Sequence, residues 1–186
     1  MAGATKQHEK EMLRTLSWVV GTPTRALRMK PEKESKVWKI KGICDASFAP
    51  ELETCRSVTG YIIFLNDAPI DWRSKGLKHV TLSSFESEYV ALSEAVRGMI
   101  EAKQVMDALG YEVELPMRVY VDNVAAIHVA RNNFARTTTR HVNVRYHFVR
   151  ELIADGTVEV LFIQAFFLFL GIVSFGFLEG LWQTLP

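Results

Sequence analysis

Cysteine is scarce in this sequence. Cys44 and Cys55 are the only two among 186 residues, which excludes a disulfide framework and a four-ligand zinc site built on thiolates. A reducing compartment, the cytoplasm or the nucleus, is therefore expected. Residues 1–10 lack an apolar core, so no N-terminal secretory signal is expected. With 48% hydrophobic and 23% charged residues, the composition excludes intrinsic disorder and collagen and is typical of a globular domain.

Positive charge is missing from the C-terminal part of the chain. No Lys or Arg follows Arg150, so residues 1–150 carry a net charge of +5 and residues 151–186 carry −4. The run 160–178 has 19 residues with only two polar side chains, which meets the threshold of about 18 residues for a membrane span. Its first four residues fit the last strand, however, and no basic anchor follows. A membrane anchor is an alternative but is not favoured.

Hydrophobic periodicity predicts an α/β architecture. One helix is expected over residues 9–20, three strands then pair as an antiparallel meander, and a long helix begins at Ser83 or Ser84. A strand, two helices and a strand complete the order, which predicts a mixed sheet with helices packed on it. The predicted strands are 37–43, 58–65, 70–74, 117–121 and 157–163, and the later helices are 83–109, 123–131 and 141–154.

Three carboxylates follow elements that such a sheet brings together. Asp45 is placed at the end of the first strand, Glu88 one turn into the long helix, and Asp122 after the fourth strand. If the first and fourth strands are neighbours, these side chains meet at one edge. Carboxylates about 4 Å apart repel by about 4 kcal/mol per pair at an effective dielectric of about 20, so the cluster requires a cation. Oxygen ligands favour Mg²⁺ or Mn²⁺, and phosphodiester hydrolysis is the natural reaction.

A structural role competes with this interpretation for two of the carboxylates. An aspartate that follows a strand and precedes a helix frequently caps the helix by accepting from a backbone N–H. This alternative is open for Asp122 and, with less weight, for Asp45. Spacing alone does not decide between the two roles.

Six blocks of sequence carry a resemblance to a known family. They are CDASF at 44–48, RSVTGY at 56–61, APIDW at 68–72, LSSFESEYVAL at 82–92, VDN at 121–123 and RHVNVRYHF at 140–148. In this order, over residues 37–163, they resemble the ribonuclease H domain of copia-type retrotransposon polyproteins. Residues 8–22 resemble the end of the reverse transcriptase region of those polyproteins.

The resemblance implies a ribonuclease H-like fold with a five-stranded mixed sheet. It also implies cleavage of the RNA strand of RNA–DNA hybrids by four acidic ligands and two divalent ions. Asp45 matches the first ligand and Asp122 the third, whereas the second is either Glu86 or Glu88. Ser83 and Glu86 fit a capping box, which gives Glu86 a structural role. Glu88 is preferred because it shares a helix face with apolar residues that can lie against the sheet.

The fourth ligand is missing from its matching position. Similar polyproteins continue after the last strand with a polar stretch and an Ala-Asp pair, whereas here Gln164 leads into the apolar AFFLFL at 165–170. The last aspartate is Asp155, and neither Glu159 nor Glu179 stands in the matching context. A shifted reading frame or an altered exon would explain the change of composition. Two hypotheses follow: an active nuclease, or an impaired remnant that keeps the fold and weak nucleic-acid binding.

Basic residues supply the expected contacts with nucleic acid. Phosphate binding requires such residues on one face, and each contact increases the dependence of affinity on salt. An RNA–DNA hybrid is the expected substrate, read through backbone shape with little sequence specificity. The reverse transcriptase portion of the same polyprotein is the other expected partner. The candidate residues are Lys75, Lys78, Arg136, Arg140, Arg145 and Arg150. A solvated surface is the alternative for each lysine, and an ordinary helix-surface charge is the alternative for Arg145.

The chain divides into three predicted segments. Residues 1–36 are the end of the reverse transcriptase region and a connector, and residues 37–163 are the ribonuclease H-like domain. Residues 164–186 are an atypical apolar tail that holds five of the 11 phenylalanines. A membrane-associated protein, held through this tail, is the third functional alternative.

Overall fold

A mixed sheet flanked by helices organises the chain. The structure, a computed structural model, describes residues 6–21, 37–48, 57–77, 83–131 and 140–164. Its helices are α1 (Lys6–Gly21), α2 (Ser84–Ala108), α3 (Val124–Arg131) and α4 (Arg140–Ala154). Its strands are β1 (Val37–Trp38), β2 (Ile40–Ser47), β3 (Val58–Leu65), β4 (Ala68–Gly76), β5 (Glu112–Val113), β6 (Met117–Val121) and β7 (Val158–Phe162).

Five of the strands form the main sheet, in the order β4-β3-β2-β6-β7. β2, β3 and β4 are an antiparallel meander. β6 runs parallel to β2, and β7 runs parallel to β6. Asn66 and Asp67, with φ of 46° and 68°, form the tight turn between β3 and β4, and positive φ at both positions suits the twist of a hairpin. The mixed sheet that the sequence predicts is therefore confirmed.

The first predicted strand, 37–43, is wrong in its bounds. The chain divides at Lys39: β1 pairs in parallel with β5 as a separate two-stranded sheet that the sequence analysis did not predict. Asn66 causes the division, because its Oδ1 accepts from the Lys39 N–H (2.8 Å) and its own N–H donates to the Lys39 carbonyl (2.9 Å). β2 then continues to Ser47. Asp45 consequently lies inside β2 instead of at the end of a strand.

The other predicted elements are present, with ends displaced by up to three residues. The largest change for a strand is at β4, which starts at Ala68 because the turn is complete at Asp67. Pro69 therefore belongs to the strand. Its lack of an N–H is tolerated there because β4 lies at the edge of the sheet.

Helix α2 packs along the sheet and supplies most of the helical part of the core. Ser83 caps its N-terminus by accepting from the Glu86 N–H (3.2 Å), and Gly110, with φ of 78°, follows its C-terminus. Gly98 allows a close approach to β3, since a Cβ at this position would lie 2.6 Å from Cδ1 of the fully buried Ile63. A Cβ at position 98 would therefore force the buried Ile63 side chain to shift.

Gly98→Ala is expected to lower the free energy of unfolding by about 1–2 kcal/mol through overpacking. Helix propensity alone would give the opposite sign, a gain of about 1 kcal/mol. Urea unfolding of Gly98→Ala, Ile63→Val and the double variant checks the cause. Because Ile63→Val removes the clashing Cδ1, the loss in the double variant should be smaller than the sum of the two single losses. Strict additivity would contradict the contact as the cause.

Apolar side chains of α1 are exposed. Met12, Leu13, Leu16 and Val20 are each more than half exposed, although they recur at the helical spacing that the sequence predicts. In the part of the chain that the structure describes, no helix has both the length and the apolar character to cross a membrane. The tail, apart from Gln164, lies outside the described residues.

Candidate metal centre

The three predicted carboxylates come together where β2, β6 and α2 meet. β2 and β6 are parallel neighbours with Ile43 paired to Tyr120. Asp45 and Asp122 each lie two residues further along, so the register places them side by side at the carboxyl end of β6. Glu88, in the second turn of α2, reaches the same point. One carboxylate oxygen of each residue lies within 4.8 Å of the other two.

Burial and the repulsion of neighbouring carboxylates raise the pKa values of Glu88 and Asp122. Glu88 is only 6% exposed, and desolvation, followed by the charges of Asp122 and Asp45, raises its pKa to about 8. A hydrogen bond from the Ala46 backbone N–H opposes this shift. The pKa of Asp122 is also raised, first by desolvation and then by Asp45. Ionisation of Glu88 and Asp122 in the folded chain is therefore electrostatically unfavourable.

The donor set fits a hard divalent cation. All three side chains offer carboxylate oxygens, the ligands that Mg²⁺ and Mn²⁺ prefer. Glu88 Oε2 is buried and has no hydrogen-bond partner, and a bound cation would satisfy it. An unsatisfied buried oxygen and repelling neighbours are costly without a ligand, so the cluster has the chemistry of a metal site.

Capping of α3 was the alternative role for Asp122, but the structure gives this role to the next residue, Asn123. Asn123 Oδ1 accepts from the Ala126 N–H (3.1 Å), which caps α3. At α2, Ser83 and the Glu86 N–H form the corresponding cap. Of the two candidates for the second ligand, Glu88 is the one that the structure places beside Asp45 and Asp122.

The remaining acidic residues near the C-terminal end of the domain lie elsewhere. Asp155 precedes β7, at the end of the sheet opposite to Asp122. A hydrogen bond with the Thr157 side chain and a second from the Thr157 N–H to Asp155 Oδ1 (2.9 Å) lower the pKa of Asp155. Glu159 pairs with Arg118 across β7 and β6 (3.6 Å). Glu179 lies outside the described residues. Within the described ranges, the metal-type cluster therefore consists of three carboxylates.

The chain leaves the sheet beside this cluster. Phe162, the last residue of β7, pairs with Val121, the last residue of β6. Ile163 then donates its N–H to the Val121 carbonyl (2.9 Å). Gln164 therefore lies at the same end of the parallel strands as Asp122, the end where β6 and β7 finish.

Two of the predicted nucleic-acid contacts line one groove. This basic groove, of about 140 Å³, lies between β3, β4, α2 and α4, and it contains Lys75 and Arg145. Arg73 and Glu94 also line it, and the sequence analysis missed both. The alternation of Asp71, Arg73 and Lys75 along a strand was the available signal, because it places all three on one face. The complete lining is Thr59, Tyr61, Arg73, Lys75, Gly76, Leu77, Ala91, Glu94 and Arg145.

The other predicted contacts are not in the groove or are not described. Arg150 donates through Nε to the Val129 carbonyl (3.1 Å) and lies over the Tyr146 ring, so it ties α4 to α3. Lys78 and Arg136 lie outside the described residues, as does the side chain of Arg140. Their roles in nucleic-acid binding stay predictions.

The fold and the position of the carboxylates define a class of protein. A meander followed by two parallel strands, with helices packed on the mixed sheet, is the ribonuclease H-like fold, as the sequence resemblance implies. Among solved structures, the chain is similar to RNase H1 of Halobacterium salinarum, with 11% identity over 68% of this chain and 86% of that chain and a TM-score of 0.44. No protein-family model matches the chain.

Relatives by sequence are polyproteins of transposons. The chain is 36% identical over 122 residues, 66% of its length, to the retrovirus-related Pol polyprotein from transposon TNT 1-94 of Nicotiana tabacum. It is 28% identical over 160 residues, 86% of its length, to the corresponding polyprotein from transposon RE1 of Arabidopsis thaliana. It spans only 9% and 11% of these relatives. Its homologues are thus retrotransposon Pol polyproteins, which confirms the resemblance to the copia-type family.

Proposed function

We propose that this ribonuclease H-like domain hydrolyses the RNA strand of RNA–DNA hybrids with divalent metal ions. The observation that carries the proposal is the cluster of Asp45, Glu88 and Asp122, whose oxygens lie within 4.8 Å of one another. Such a cluster in a domain of transposon-polyprotein ancestry is suited to phosphodiester chemistry.

Asp45, Glu88 and Asp122 would hold Mg²⁺, with Mn²⁺ as a substitute. A bound divalent ion supplies a water of lowered pKa and stabilises charge on the phosphate oxygens. Glu88 has a pKa of about 8 in the metal-free protein, so it gives up a proton when it becomes a ligand. Asp45 lies on β2 and Asp122 directly follows the neighbouring strand β6, so the sheet fixes the spacing of these two donors.

The substrate side of the proposal rests on charge. A double-stranded nucleic acid presents a regular row of phosphates, and the basic groove carries Arg73, Lys75 and Arg145. Recognition of this kind reads backbone shape and 2′-hydroxyls instead of base edges, which suits a hybrid of any sequence. The reverse transcriptase portion of a polyprotein is the proposed source of such hybrids.

A cleavage assay tests the proposal. The full chain is incubated with a fluorescent RNA–DNA hybrid and Mg²⁺, with double-stranded DNA of the same sequence as the matched substrate control. Cleavage of the RNA strand only, lost with a chelator and in Asp45→Asn, is the expected result. Hydrolysis that persists in Asp45→Asn would refute the assignment of the site.

One observation favours a second candidate function. The described residues supply three carboxylates, and Asp155 and Glu159 are engaged away from the cluster. A domain in this state can hold an ion and still lack the arrangement for hydrolysis. It would then be a remnant that binds hybrids without cutting them. Retention of hybrid that decreases with salt, with no cleavage in Mg²⁺ or Mn²⁺, would identify this case.

A further inference from the structure

The face of the main sheet that lies opposite to α2 carries an apolar row of its own. Residues paired across neighbouring strands point to the same face of a sheet. One such row crosses all five strands, from the edge strand β4 to the edge strand β7. Its members, each paired with the next, are Trp72, Ile62, Ile43, Tyr120 and Leu161.

The middle of this row is buried although no described helix packs against it. Ile43 is 2% exposed and Tyr120 is 6% exposed, and with Ile163 they form a separate core cluster. Within the described ranges this cluster contains no helical residue, whereas α2, α3 and α4 contribute to the cluster on the opposite face. Neighbouring strands shield a side chain laterally but not from above, so burial this complete requires a further layer on this face.

The segment after β7 has the composition of such a layer. Residues 165–178 include no charged side chain and one polar side chain, Ser174. The internal ranges outside the described residues differ, because each contains at least one charged side chain; they are 22–36, 49–56, 78–82 and 132–139. The apolar run 165–178 is therefore the segment best suited to cover an apolar face.

The chain leaves the sheet at a suitable place and with sufficient length. Ile163 belongs to the buried cluster, and β7 is an edge strand, so the chain that follows can turn over this face. From Leu161 to Trp72 the row spans four strand spacings, about 19 Å. The 14 residues 165–178 would span about 21 Å as a helix and up to about 46 Å if extended. Either conformation is long enough to cross the row.

We propose that the apolar run 165–178 packs over this face of the sheet in the same chain and covers the row from Leu161 towards Trp72. The occupant of the face is thus a segment of this chain. Trp72, at the far edge of the row, is 52% exposed and marks the limit of the cover. The proposal concerns apolar packing alone, so it does not depend on the nuclease activity.

Photo-cross-linking of the full chain tests where the run lies. p-Benzoylphenylalanine is incorporated in place of Trp72, whose exposure makes the position tolerant of an aromatic replacement. Illumination should join position 72 to residues 165–186 of the same chain, as mapped by mass spectrometry of monomer-sized product. The matched control carries the same probe in place of Val105, which is 59% exposed on α2. It should give no cross-link to residues 165–186.

Hydroxyl-radical footprinting of the full chain measures the cover directly. The serine variant carries Phe166→Ser, Phe167→Ser and Phe169→Ser. Oxidation of Tyr120 should rise about fivefold in this variant, because its exposure would increase from 6% towards the 52% of Trp72 in the same row. Leucine at the same three positions is the matched control, which keeps the run apolar and should keep Tyr120 protected. Tyr89 and Tyr146, in the cluster on the opposite face, should stay protected in both variants.

Three results would overturn the proposal. Cross-linked products of dimer size would assign the cover to a second copy of the chain. Flotation of the parent chain with phosphatidylcholine vesicles, without a cross-link from position 72, would assign the run to a membrane. Equal oxidation of Tyr120 in the parent and in a folded serine variant would show that the run does not cover the row. The cross-link uses an unaltered run, so it decides the question even if the serine variant fails to fold.

Discussion

Glu88→Gln is expected to lower the metal-dependent cleavage rate at least about a hundredfold. Even residues that only hydrogen-bond to metal ligands commonly contribute 10- to 100-fold to metal affinity or activity. The amide keeps the shape of the side chain but removes a charged ligand between Asp45 and Asp122. The rate of hybrid cleavage, with substrate in excess and Mg²⁺ near saturation, is the measurement.

Glu86→Gln is the matched control, since Glu86 is two residues away on the same helix and was the competing candidate for the ligand. It should keep most of the rate, because the cap uses the Glu86 backbone N–H, which the substitution retains. A loss in Glu86→Gln with full activity in Glu88→Gln would reverse the assignment of the second ligand. Equal losses in both variants would contradict a specific role for Glu88.

Metal-free protein is expected to become less stable as the pH rises from about 4.5 to about 8. Glu88 has a pKa near its ordinary value when unfolded and about 8 when folded, so the folded state binds more protons throughout this window. Raising the pH therefore lowers the free energy of unfolding, and the loss is complete only above pH 8. With allowance for solvent screening, its size is on the order of 3 kcal/mol. The raised pKa of Asp122 acts with the same sign from lower pH.

Chemical unfolding at pH 5 and pH 8.5, in a chelator and in Mg²⁺, measures this effect. Mg²⁺ should restore most of the stability at pH 8.5, because a bound cation favours the ionised carboxylates. Glu88→Gln has no carboxylic acid to titrate, so it should flatten the pH dependence and be more stable than the parent at pH 8.5 without metal. A parent protein that gains stability between pH 5 and pH 8.5 without metal would contradict the burial of Glu88.

Much of the fold is predictable because its elements follow local periodicity. The apolar spacing of α2 and its serine cap are read directly from the sequence, and so is the meander. The division of the first strand at Lys39 is not, since it depends on Asn66, which is 27 residues away. The parallel pairing of β1 with β5 was not predicted for a similar reason. A two-residue strand has no measurable period, and its partner is distant in sequence.

The site shows the same limit. The three carboxylates were found because each lies in or next to a recognisable element and the family resemblance supplies their order. The sequence did not show whether Asp122 caps α3 or belongs to the cluster. Asn123 is the residue that caps α3, and this depends on which side chain faces the helix. The basic groove combines residues from β4, α2 and α4. Glu94 looks like an ordinary helix-surface charge until those elements are packed together.

The exit of the chain next to Val121 makes position 164 a natural attachment point beside the carboxylate cluster. A spectroscopic label or a chelating peptide joined there would start within one residue of the hydrogen bond between Ile163 and Val121, at the edge that carries Asp122. Such an addition would lie beside the carboxylate cluster without any alteration of the core. Donor atoms on such a label could thus be exchanged one design at a time.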